Sequence, residues 1–195
     1  FTAGLFFSIF ATASLVPNML DKGNIDWLLA KPISREALLV GRYLGGLLVV
    51  AFNVFYLIAG AWLILSIKTG VWHFPFLISG LLIIAIFAVI YAFMVFLGVS
   101  VQNSAVAIMG AYLIMFFSPM LVQRDRIYAL LSNKIWQWLL DGIYYLTPRT
   151  FEVGAMVKDT VLLEPIASWS PIWHSLALGV LFFSSAVLLL KRKNF

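Results

Sequence analysis

The chain of 195 residues contains no cysteine. That excludes disulfides, thiolate metal ligands and cysteine nucleophiles from it, and leaves its redox compartment open. Charge is scarce too: Asp, Glu, Lys and Arg make up 11% of the residues, against about one-quarter in a soluble domain. With 63% hydrophobic residues and a mean hydropathy of +1.02, the composition is that of an integral membrane protein. No GxxxxGK[ST] run occurs, so a nucleotide cannot be cradled here by a P-loop. The two histidines, His73 and His174, both adjoin aromatics and lack clustered carboxylates, which suits interfacial anchoring better than metal binding or a catalytic triad. The formal charge of +5 is read as loop orientation and contact with lipid headgroups, with no nucleic-acid partner.

A membrane helix needs about 20 apolar residues. Four full-length candidates satisfy this: Leu38 to Ile67, Pro75 to Val101, Ala105 to Val122 and Pro171 to Leu190. A fifth, Phe1 to Val16, is short, and its opening FTAGLFFSIFATASLV has no initiator Met, basic n-region or small-residue cleavage site. It is expected to be the remainder of a truncated helix, with one or more upstream spans missing. No Asp, Glu, Lys or Arg occurs from Thr69 through Gln123, too long a run for one span, and Gln102, Asn103 and Ser104 mark its turn. The fold class expected is an all-α, polytopic transmembrane helix bundle forming a single domain over residues 1–195, with no internal repeat.

Orientation follows from Lys and Arg in the loops. Placing residues 17–42 and the tail KRKNF in the cytoplasm gives seven positive and three negative charges inside, while the other loops are nearly neutral. Trp62, Trp72, Trp169 and Trp173 then fall at outer ends, where indole rings favour the headgroup layer. Residues 123–170 become an external segment. Within it Trp136, Leu139, Leu140 and Ile143 follow helical spacing, which predicts a helix lying in or dipping into the outer interface. Lys134 and Asp141 argue against a full span there.

Between the first two apolar runs lies GNIDWLLAKPISREALLVGRYLG, residues 23–45. Asn18 or Asp21 can cap a short helix whose Ile25, Leu28 and Leu29 form an apolar stripe, with Lys22 and Asp26 off it. Pro32 ends that helix by disfavouring helical geometry at Lys31. Ser34 then caps a new helix, with Glu36 in its first turn, that continues into the membrane. A short amphipathic helix, a proline elbow and a membrane helix follow one another without a flexible linker, so a push on the first is passed to the last.

The run DKGNIDWLLAKPISREALLVGRYLG resembles the cytoplasmic loop and following helix of ABC-2 type transporter permeases. Asp21, Gly23, Leu28, Leu29, Pro32, Ser34, Arg35, Gly41 and Arg42 occupy the positions of that pattern, while Met19 stands where the family often has a second acidic residue. The resemblance implies six spans, of which five are present here, with both termini cytoplasmic. It implies that the loop of residues 17–37 contains a coupling helix docking on a separate ATP-binding subunit, with Asp21, Gly23, Ile25, Asp26, Leu28, Leu29, Pro32 and Arg35 as contact residues. It also implies ATP and Mg in that partner and no cofactor in this chain, a second permease copy, an export activity, and a multi-pass location in a prokaryotic plasma membrane.

Other features leave alternatives open. Gly41 and Gly45 share a helix face and allow close backbone approach, within one subunit or across a dimer. Asn53 is the most conspicuous polar group near mid-membrane, suited to an interhelical hydrogen bond or to a substrate contact. Met109, Met115 and Met120 read as adaptable packing. A membrane scaffold or assembly protein whose loop rests on lipid through Lys22, Trp27 and Lys31 is the alternative of another class. A secondary transporter ranks third, because no span carries a carboxylate in its interior.

Overall fold

A computed structural model describes residues 4, 5, 8, 9, 12, 34–128 and 134–192. Among them every element is helical: α1 (Arg35–Thr69), α2 (Pro75–Val101), α3 (Ser104–Val122), α4 (Arg124–Tyr128), α5 (Lys134–Leu146), α6 (Thr150–Leu162) and α7 (Ser170–Arg192). Four of these, α1, α2, α3 and α7, are long and apolar enough to cross a membrane, and they coincide to within a few residues with the four full-length spans expected from hydropathy. The residues described before them are consistent with a fifth helix: the Ser8 and Thr12 hydroxyls bond back to the carbonyls four residues earlier, at 2.8 Å each, and Leu5 and Ile9 are buried in the core.

Local chemistry sets the boundaries. Ser34 is extended, and its Oγ accepts from the Ala37 N–H at 3.2 Å, capping α1. Gly70 ends α1 at φ +72°, where a side chain would be strained, and its N–H reaches the Ser66 carbonyl at 2.9 Å. Pro75 opens α2, where its missing donor is harmless. The α2–α3 turn takes two residues: Gln102 is left-handed, and Asn103 caps α3 by accepting from the Ala105 N–H at 2.8 Å.

The bundle is arranged around α2, which contacts α1, α3, α6 and α7. A helix apolar all round belongs at a centre, and Ile86, Phe87, Val89, Ile90, Tyr91 and Val95 are all essentially inaccessible. Lipid is as apolar as leucine, so tight van der Waals packing must hold such helices together. The face of α7 turned inward alternates small and large residues, Ser175, Gly179, Phe182, Ala186 and Leu190. At Gly179 a Cβ would lie 3.3 Å from the Val89 Cα, closer than a side chain tolerates comfortably. On the other side Gly46 of α1 admits the Tyr91 ring, which stacks on Tyr43 at 5.3 Å, while the Tyr43 hydroxyl donates to the Ala88 carbonyl at 3.0 Å.

The bundle has two distinct ends. Lys191 Nζ lies 3.0 Å from Glu36 Oε1, so the start of α1 and the end of α7 meet at one of them. At the other, Trp62 packs against Trp72 and Phe74 at 5.2 and 5.5 Å between ring centroids. That aromatic group, with the ends of α1 and α3 and the starts of α2 and α7, marks the end that charge bias assigns to the outside.

Candidate functional site

The loop from residue 17 to residue 33 lies outside the described residues, and with it Asp21, Gly23, Ile25, Asp26, Leu28, Leu29 and Pro32 of the expected contact surface. Arg35 opens α1 directly behind the Ser34 cap. From there α1 runs 35 residues without a break, about 52 Å at 1.5 Å per residue, against a hydrocarbon core of roughly 30 Å. Arg42, two turns in and exposed, can therefore reach headgroups while the far end of α1 stands at the opposite interface. Gly41 and Gly45 face away from the described helices, with no described residue within 4 Å of where a Cβ would stand. Their neighbour Gly46 makes the close approach instead. Asn53 is exposed, and its Nδ2 donates to the Val49 carbonyl of its own helix at 2.8 Å.

At the opposite end, the segment expected to be external forms a helical hairpin. Pro148 cannot extend α5, and α6 starts two residues later. The first turn of α6 has backbone donors without partners in its own helix. Two membrane helices supply them: Ser175 Oγ of α7 accepts from the Arg149 N–H, and Ser118 Oγ of α3 from the Phe151 N–H, both at 3.0 Å. Ser118 lies four residues before the end of α3 and Ser175 five after the start of α7. The hairpin tip is thus inserted about 6 to 8 Å below the helix ends. From it α6 climbs back with Val153, Met156 and Val157 buried against the bundle, until the Val161 carbonyl meets His73 Nε2 at 2.8 Å.

The hairpin carries a compact polar cluster. Tyr144, 8% exposed, lies between two guanidinium groups, Arg124 at 4.0 Å and Arg149 at 4.5 Å from its ring centroid. Its hydroxyl donates to Glu152 Oε1 at 2.5 Å, and Glu152 Oε2 is 3.6 Å from Arg149 Nη1. Arg124 Nη1 is 3.5 Å from Asp141 Oδ1, which also accepts from the Tyr128 hydroxyl. Burial, then the hydrogen bond to Glu152 and its charge, push the Tyr144 phenol up to about 12 against the opposing pull of Arg149 and Arg124. Tyr144 is therefore a neutral donor at physiological pH. Among the described residues, Arg124 Nη1, Arg149 Nε and His174 Nδ1 are shielded from solvent and make no hydrogen bond.

Beside this cluster, α3 and α5 leave a cavity of about 350 Å³ between them, lined by Leu113, Ile114, Phe117 and Leu121 on one side and Leu140 and Ile143 on the other. Of the apolar positions that predicted α5, Leu140 and Ile143 line this seam. Trp136, Leu139 and Ile143 are 57%, 50% and 43% exposed, as expected for a helix resting in an interface. Sequence reasoning missed the cluster itself. Its signals were Pro148 as a helix breaker and Arg149 with Glu152 at i, i+3, a spacing that pairs charges on one turn.

No family model, no curated protein and no solved structure matches the chain.

Proposed function

We propose that this membrane protein is the transmembrane permease subunit of an ATP-binding cassette transporter. On this reading it exports its substrate using ATP hydrolysed by a separate subunit, and it works beside a second permease copy in a prokaryotic plasma membrane. The nine ordered positions from Asp21 to Arg42 carry the family resemblance. One structural observation supports the mechanism most: α1 is a single capped helix that begins at the end of the proposed coupling loop and packs on α2 along its length, Gly46 against Tyr91 and Ile58 against Gly80. Leu39, Gly46, Val50 and Ser66 are buried, whereas Phe52, Tyr56, Leu57 and Ile64 are exposed.

The proposed sequence of events starts when ATP binding closes the partner subunit and displaces the segment from Asp21 to Ala30. The proline elbow read from the sequence passes this motion to the Ser34 cap, so α1 moves as a lever and shifts α2 through the Tyr43, Gly46 and Tyr91 contact. The hairpin α5–α6 covers the outer end, and its caps on Ser118 and Ser175 couple it to the separation of α3 and α7. Replacing Leu28 or Leu29 by Asp is expected to leave membrane insertion intact while ATP hydrolysis by the assembled complex no longer drives transport. Transport per ATP unchanged in both variants would count against the docking role.

A further inference from the structure

We propose that the seam between α3 and α5 is a binding site for a phospholipid of the ethanolamine class, with an acyl chain in the cavity and the headgroup on Arg124 and Asp141. The inference rests on the outer hairpin alone and does not depend on the transport reading.

The cavity has the size and apolar lining of a ligand site, about 350 Å³. Two charged side chains follow residues of its lining in sequence. Arg124 follows Leu121 by one helical turn and Asp141 follows Leu140 directly, and both leucines line the cavity. Their charged groups are 3.5 Å apart and remain partly accessible, 26% and 42% exposed. Arg124 Nη1 is itself shielded, beside the carboxylate and without a hydrogen bond among the described residues, so the part of the guanidinium open to a headgroup is its exposed remainder. A guanidinium donor of this kind is best satisfied by a phosphate oxygen.

Charge complementarity selects the headgroup. The cluster holds Arg124 and Arg149 against Asp141 and Glu152 and carries no net charge. A purely anionic headgroup on Arg124 would lie against the Asp141 carboxylate, and like charges at that distance repel. A headgroup with a phosphate and a nearby primary ammonium presents the opposite sign to each: phosphate to Arg124, ammonium to Asp141. Choline carries the same charges but has no N–H to donate, so it satisfies Arg124 and adds no hydrogen bond to Asp141 beyond the one from Tyr128. Free phosphate would leave the apolar cavity unfilled.

The purified chain, incorporated into nanodiscs with equal parts ethanolamine, choline and glycerol phospholipids, is released into the gas phase and its retained lipids are counted by mass spectrometry. The ethanolamine lipid is expected to be retained about tenfold over the glycerol lipid, the size of one charged hydrogen bond made against one lost. Arg124→Gln lowers retention of all three classes, and Asp141→Asn removes the advantage of ethanolamine over choline. Leu140→Trp fills the cavity and abolishes retention with both charged groups in place. Equal retention of the ethanolamine and glycerol lipids by the unaltered chain overturns the proposal. So does undiminished retention in Leu140→Trp. The unaltered chain decides the headgroup question by itself if either charge variant loses its cooperative thermal transition.

Discussion

Helices α1 and α2 are neighbours of almost the same apolarity, with mean hydropathies of 2.3 and 2.9 over their best windows, yet 6% of the first window is buried and 61% of the second. In water such a difference would be ruinous for α1, because its exposed face carries Leu48, Phe52, Tyr56 and Leu57. In lipid it costs little, since hydrocarbon solvates leucine as well as another helix does. Hydropathy therefore reports that both helices lie in the membrane and says nothing of which one is the core. Shape decides that: α2 meets Gly179 of α7 and Gly46 of α1 at close range and is covered on several sides, whereas α1 leaves much of its surface, Leu48, Phe52, Tyr56 and Leu57 included, uncovered by the described residues.

The contrast is broken most decisively by large-to-small changes. Phe87→Ala on α2 is expected to destabilise the bundle by about 3 kcal/mol, the scale of a buried aromatic truncated in a packed interior. Phe52→Ala on α1, a residue 73% exposed, is expected to stay within about 0.5 kcal/mol. Reversible unfolding in mixed detergent micelles reads both, and equal costs would mean that α1 is covered by residues beyond those described. Small-to-large changes sharpen the same contrast. Gly46→Ala places a Cβ 2.9 Å from two ring carbons of Tyr91 and should cost about 1 to 3 kcal/mol. Gly45→Ala, one residue away and with no described residue within 4 Å of its Cβ, should be neutral or stabilise by up to about 1 kcal/mol through helix propensity.

Smaller effects are expected at the two ends. Tyr144→Phe removes the hydroxyl that donates to Glu152, a bond to a charged acceptor worth about 1.5 kcal/mol or somewhat more. The phenol is pushed up to about 12 in the fold, so its neutral form is the one stabilised. That contribution is complete below the ordinary tyrosine range near 10 and is lost as pH rises through about 12. Absorbance of ionised tyrosine, compared between the unaltered chain and Tyr144→Phe, should show this residue among the last to titrate. Ser34→Ala removes the cap that starts α1 and should cost about 1 kcal/mol, visible as faster amide exchange over residues 35–38.

Much of the fold was legible because the membrane leaves few choices. Backbone groups in lipid must bond within their own helix, so a run of apolar residues reads directly as a span. The Ser34 cap and the turn at Gln102 and Asn103 were equally readable, since each rests on local chemistry. The hairpin was only half legible. Its first helix announced itself through Trp136, Leu140 and Ile143, but the second, α6, buries its residues chiefly against α2 and α3, which lie far back in sequence. The polar cluster is drawn from Arg124, Asp141, Tyr144, Arg149, Glu152 and His174, positions spread over about fifty residues, and no local pattern joins the first to the last. The near-neutrality of the external loops was a trace of it: Arg124 with Asp141, Arg149 with Glu152 and Lys158 with Glu164 are partners in the fold. The proposed coupling residues carry a pattern in sequence alone, because the loop that holds them lies outside the described residues.

The central claim is that the loop before α1 docks on an ATP-hydrolysing partner, and the absence of native cysteine makes it directly testable. A single cysteine at Asn24, crosslinked in native membranes and identified by mass spectrometry, should capture an ATP-binding subunit with a yield that changes when nucleotide is added. Capture of lipid or of a second copy alone, repeated at several positions across residues 17–33, would contradict the coupling account and leave the loop a connector of a membrane scaffold.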